Sequence, residues 1–127
     1  MSKNNPDYAN CHSFMTHLEH YTHFRRRILE RYGLHINREN YNAVRAFIRS
    51  GNGTVIFEKG YLSVIKMRIP DYIRKDNPHC QYFAMLVVYE KRQRAVRSVL
   101  PYQPQKWIAR YKKSQSDNSA LQVVKEQ

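Results

Sequence analysis

The apolar residues of this chain change their spacing once, at Ser50-Gly51-Asn52-Gly53, and that one change limits the possible folds more than any other feature. Before it, Phe14, Leu18, Tyr21, Ile28, Leu29 and Tyr32 recur at three- and four-residue intervals, which lines up one face of an α-helix, and Gly33 supplies a C-cap. Asn37 then reads as an N-cap, Ile36 can staple onto Tyr41, and Val44, Phe47 and Ile48 extend a second helical face to the breaker. After Gly53 the runs are β-branched and aromatic: residues 54–57, 61–69, 82–89 and 95–100, the last closed by Pro101. Glu58-Lys59-Gly60 and residues 90–94 read as turns. Residues 70–81, with two prolines, Asp71, Asp76 and Asn77, read as a long exposed connection.

Helices followed by strands predict an α+β fold: two N-terminal helices packed on one face of a four-stranded antiparallel meander, with the other face open. A length of 127 residues suits one domain. Residues 14–101 are expected to form it, with 1–13 a flexible lead-in and 102–127 a basic aromatic segment running into a polar, disordered end. No stretch approaches the roughly 20 apolar residues that span a bilayer, and the first residues lack the apolar core of a secretory signal. A cytoplasmic setting with no membrane partner follows as an expectation, with Cys11 and Cys80 as free thiols.

Twenty-two Lys and Arg against 10 Asp and Glu leave a formal charge of +12. A field of that sign attracts RNA, the ribosome or DNA, with an acidic protein as the other possible partner. Lys91, Arg92, Arg94, Arg97, Lys106, Arg110, Lys112 and Lys113 occur in one segment with no acid among them, and Tyr89, Tyr102, Trp107 and Tyr111 interleave with them. Cations beside aromatics offer phosphate neutralisation and stacking platforms, whereas a merely solvated surface more often mixes both signs. On the first helix His20, Phe24, Arg27 and Arg31 line one flank of the apolar stripe, His23 sits just outside it, and Arg25 falls within the stripe. An imidazole that passes protons beside guanidinium groups that hold phosphate suits metal-free RNA cleavage, against the plain alternative of a solvated histidine-rich helix.

Strand alternation puts Ile65, Met67 and Ile69 under the helices and Lys66 with Arg68 on the open face. In the last strand Val96, Ser98 and Leu100 share a face opposite Arg97, so either Ser98 or Arg97 looks outward. Cys11-His12 and His79-Cys80 have zinc-ligand chemistry but adjacent pairs lack the spacing that wraps one ion. Phosphate-loop, dinucleotide and nucleophile-elbow motifs are absent, and no tight carboxylate cluster suits Mg²⁺, so neither metal nor cofactor is expected.

The order of parts resembles the barnase–EndoU–colicin–RelE class of ribonucleases, of which RelE-like toxins are the best-known members. Small phage and prophage proteins are similar in the run His23-Phe-Arg-Arg-Arg-Ile-Leu-Glu-Arg-Tyr-Gly33, in Leu86-Val-Val-Tyr89 with Lys91, and in Val96-Arg-Ser-Val-Leu-Pro101. The likeness covers roughly residues 21–101. It implies a bacterial host cell and a catalytic set of His23, Arg27, Tyr89 and Ser98 over the open sheet, with Lys66, Lys91 and Arg97 on phosphate. His20, Arg31, Arg68, Arg92, Lys106, Trp107 and Arg110 complete the expected nucleic-acid contacts. The implied reaction is metal-independent transesterification by the RNA 2′-OH. The rival expectation is a non-catalytic phage-encoded inhibitor or adaptor that docks the same basic surface on a host nucleoprotein complex.

Overall fold

A computed structural model describes residues 16–126, with side chains to residue 116. The expected lead-in at 1–13 therefore lies outside the described residues, as do Phe14, Cys11 and His12. The elements are α1 (His17–Tyr32), α2 (Arg38–Arg49), β1 (Thr54–Lys59), β2 (Leu62–Arg68), the single turn α3 (Asp71–Arg74), β3 (Ala84–Glu90), β4 (Ala95–Leu100) and α4 (Pro104–Glu126). The strands form one antiparallel sheet in the order β1-β2-β3-β4. The protein is thus α+β with a four-stranded antiparallel meander, as the change of period predicts.

Local signals fix the helix ends. Thr16 accepts from the Glu19 N–H while the Thr16 N–H donates to the Glu19 carboxylate, and Asn37 with Asn40 makes the same reciprocal box for α2. Gly33, at φ 68°, ends α1 in the left-handed conformation that a side chain would resist.

The face that α1 buries is rotated from the one its leucines suggest. His20, Phe24, Ile28 and Tyr32 are buried at strict four-residue spacing, whereas Leu18 and Leu29 are exposed and Arg25 points to solvent. Burying the Leu18-Tyr21-Arg25-Leu29 stripe would carry a guanidinium into the core, which costs more than leaving two leucines wet. Phe24, Ile28 and Tyr32 join Tyr41, Val44 and Ile48 of α2 over Ile65, Met67, Met85, Val87, Val96 and Val99 of the sheet. Ile36 belongs to the same core as Tyr41, in keeping with the expected staple.

The other face of the sheet is not left open. Helix α4, in the segment expected to be tail, crosses it toward β1. Its Trp107 and Ile108 pack with Ile56, Phe57, Val64, Leu86 and Leu100 as a second, smaller core. Rings of Trp107 and Tyr111 meet Phe57 edge-on at 5.2 and 5.9 Å. The apolar residues that α4 covers are reason enough for it to fold back: an uncovered face bearing Val64, Leu86 and Leu100 is unfavourable in water.

Residues 70–81 are also less exposed than their prolines imply. Ile73 of α3 is fully buried, and the buried Asn77 side chain accepts from the His35 N–H at 2.8 Å while donating to the carbonyls of His35 and Ile73 at 3.0 and 2.8 Å. One amide therefore fastens the connection to the link between α1 and α2. Strand β4, at the sheet edge, and Arg94 just before it have carbonyls capped from the helices: Arg31 donates to Val99, Tyr41 to Val96 and Arg45 to Arg94, at 2.6 to 2.7 Å. These donors satisfy groups that would otherwise invite another strand.

Candidate nucleic-acid interface

Strand β4 carries the feature that shapes the site. Val96 pairs with Tyr89 but Ser98 pairs with Val88, so Arg97 is an extra residue in a bulge. The bulge breaks the alternation the sequence suggests: Val96 enters the main core, while Ser98 and Leu100 lie on the α4 side. It also swings Arg97 toward the same hollow as Ser98, so that both residues line it instead of pointing apart.

That hollow, of about 320 Å³, is lined by His23 from α1, Leu62 from β2, Val88 from β3, and Arg97 and Ser98 from β4. Val64, Val88 and Ser98 form one row across three strands, and α4 covers the Val64 end of it. The open sheet face expected from the sequence thus survives as a corner by the β4 edge. A second hollow of about 320 Å³ adjoins on the helix side, lined by Leu18, Glu19, Thr22, His23 and Arg26. His23 is common to both.

Burial lowers the His23 pKa, and the positive charges of Arg27, Arg26, Arg97 and Arg31 lower it further. Its imidazole is therefore uncharged at neutral pH and has a lone pair available for a proton, in a ring of guanidinium groups that attract anions. His20 is in a different position. It is buried, which lowers its pKa first, with Arg97 and His17 adding to the effect and the Gln93 side chain opposing it. A ring 2% exposed cannot touch a nucleic acid, so His20 supports the helix–sheet contact instead of the expected binding surface.

The remaining expected residues divide by location. Tyr89 packs against the main core, on the face opposite Ser98, and is not brought to His23. Arg27 stays beside His23 but shares its charge with Glu30 at 2.9 Å. Arg31 spends one N–H on Val99. Lys66 is exposed on the α4 side of the sheet, and Arg68, 77% exposed, lies 3.6 Å from Asp71. Lys91 is bound to Glu58 at 2.8 Å and Arg92 to the buried Glu90 at 3.2 Å, so one acid from β1 and one just before the segment meet cations of a stretch that has no acid of its own. Burial alone would raise the Glu90 pKa, but hydrogen bonds from the Arg92 and Gln93 backbone and the Arg92 side chain hold it below its ordinary value.

Arg92 also stacks over the exposed Tyr61 ring at 4.5 Å, next to Leu62. Trp107 is half-buried against Phe57 with Arg110 over its ring at 4.8 Å, so its main task is to fasten α4. Lys106 and Arg110 are exposed on α4 and do not line the His23 hollow. Arg26, Leu62 and Val88 escaped the sequence reading; only Arg26, adjacent to Arg27 in a basic run, carried a readable signal. Among the described residues no three His, Cys, Asp or Glu side chains gather as metal ligands, and no helix is long and apolar enough to cross a membrane. The chain matches no protein-family model, no curated protein and no solved structure.

Proposed function

We propose that this is a nucleic-acid-interacting protein whose RNA site is the corner formed by His23, Arg97 and Ser98, and that it cleaves RNA there without a metal. The observation that carries the reading is a neutral, half-buried imidazole in a hollow shared with Arg97, with Arg26, Arg27 and Arg31 adding positive charge around it. In the proposed step the 2′-OH gives its proton to the uncharged His23 ring as the 2′-oxygen bonds to phosphorus. The bond from phosphorus to the 5′-oxygen breaks, and that oxygen takes a proton from water. Arg97 and its neighbours stabilise the charge on the phosphoryl oxygens. A Ser98 hydroxyl within the hollow orients the phosphate; its contact to the Val99 carbonyl, at 3.4 Å, is a long one.

The second reading is a non-catalytic binder that docks on a host nucleoprotein, and the placement of Tyr89 on the opposite face favours it, since one member of the expected catalytic set is missing from the corner. Incubation of the purified protein with labelled single-stranded RNA and chelator separates the two. Defined cleavage supports the first reading, and retarded but intact RNA supports the second. With about three phosphates held, affinity falls about twentyfold between 50 and 200 mM salt. Salt-insensitive association with no cleavage contradicts both nucleic-acid readings.

A further inference from the structure

The two hollows that meet at His23 are alike in size but differ in what they offer. On the sheet side, Leu62 and Val88 make an apolar floor and Arg97 a cationic wall. On the helix side, Leu18, 57% exposed, provides the apolar surface and Arg26 the cation, while Glu19 adds a carboxylate. Each volume stands at the small end of ligand cavities, roughly 300 to 1,000 Å³, which suits one nucleoside. Neither Leu18 nor Leu62 belongs to either core, so both side chains are open to a ligand without disturbing the fold.

We infer that His23 divides two nucleoside subsites, one floored by Leu62 and Val88 and the other by Leu18, so that the ligand is a single-stranded dinucleotide step with its bridging phosphate at His23. The inference rests on the nucleic-acid reading above. Phosphate belongs at the divide because Arg97 lines the sheet side and Arg26 the helix side, whereas Glu19, one turn before His23, disfavours phosphate within the helix hollow itself. One oxygen of that carboxylate holds the Thr16 N–H, and the other is left to accept from amino groups on a base edge. The bases must leave their stack to enter, which a duplex resists and a single strand permits.

The test uses the whole chain, isotope-labelled, titrated with a 2′-O-methylated cytidylyl-adenosine, which cannot be cleaved, and separately with cytidine 3′-monophosphate. The expected result is a dinucleotide at least about tenfold tighter than the mononucleotide. It should shift the amide signals of Thr22 and Val88 together. Leu18→Ala and Leu62→Ala, both at exposed positions that leave the cores intact, each weaken the dinucleotide about fivefold. Equal affinity for the two ligands, or shifts confined to one side of His23, overturns the inference. If longer single-stranded RNA binds but moves only signals of α4, the subsites fall while nucleic-acid binding stands; if no RNA binds, both fall.

Discussion

Tyr32 joins the helical layer to the sheet through one hydroxyl. That oxygen donates to the Leu100 carbonyl at 2.7 Å and accepts from the Leu86 N–H at 3.1 Å, although Leu86 and Leu100 are themselves partners across β3 and β4. The hydroxyl therefore stands in for a rung of the ladder, and burial pushes its pKa up to about 12. Tyr32→Phe keeps the ring and its edge-on contact with Tyr82 at 4.9 Å, so little packing is lost. Two backbone groups lose their partner instead, at about 1–3 kcal/mol for each buried group left unsatisfied. A total of about 2–6 kcal/mol follows, or a fall in Tm of about 8–24 °C for a domain of this size. Tyr41→Phe is the internal scale: its hydroxyl makes one bond, to the Val96 carbonyl at 2.7 Å, and its loss should cost about 1 kcal/mol. Urea and thermal unfolding followed by circular dichroism measure both. A Tyr32 variant no less stable than the Tyr41 variant would mean that β3 and β4 close on each other directly, and the bridging argument would be wrong.

Three further outcomes are expected. Gly53→Ala should destabilise by about 2 kcal/mol in the same assay, because φ is +88° there and an added Cβ would stand 2.6 Å from Ile65 Cγ2. Because burial lowers the His20 pKa, the unfolded chain holds protons that the folded chain gives up. Stability is full above the ordinary imidazole value of 6.5 and falls as pH drops through it toward the lowered one. His20→Phe should flatten the change in urea midpoint between pH 7.5 and 5.5 in part, since His23 is lowered in the same direction and keeps the rest. Trp107→Ala should cost about 3 kcal/mol and raise binding of a hydrophobic dye as α4 loosens from Phe57; no change in either would show that α4 is not held by that ring.

The legible parts of this fold were those written in short-range pattern. Asn37, Gly33 and the strand Ala95–Leu100 stand where the sequence put them, because caps, turn residues and β-branched runs act locally. Helix phase was not legible: whether Phe24 or Leu29 points inward depends on what Arg25 would meet. Helix α4 was hidden because its inner residues, Trp107 and Ile108, look like an isolated aromatic patch until Phe57 and Leu86 are seen opposite them. In the site, His23 was found from residue type, and its pairing with Arg97 and Ser98 was half visible. The bulge that turns both of those toward it is a matter of pairing between strands, which no single-strand alternation reveals. Tyr89 entered the expected set through the resemblance, whereas alternation along β3 puts it on the face of Val87, opposite Val88.

In the proposed function the His23 corner, and not the face bearing Tyr89, acts on RNA. Wild type, His23→Ala and Tyr89→Phe should be incubated with single-stranded RNA in chelator, and the product ends identified by mass. Wild type and Tyr89→Phe should leave 2′,3′-cyclic phosphate ends, with the rate in folded His23→Ala lowered about a hundredfold or more. Cleavage unchanged by His23→Ala, or lost only in Tyr89→Phe, would contradict it.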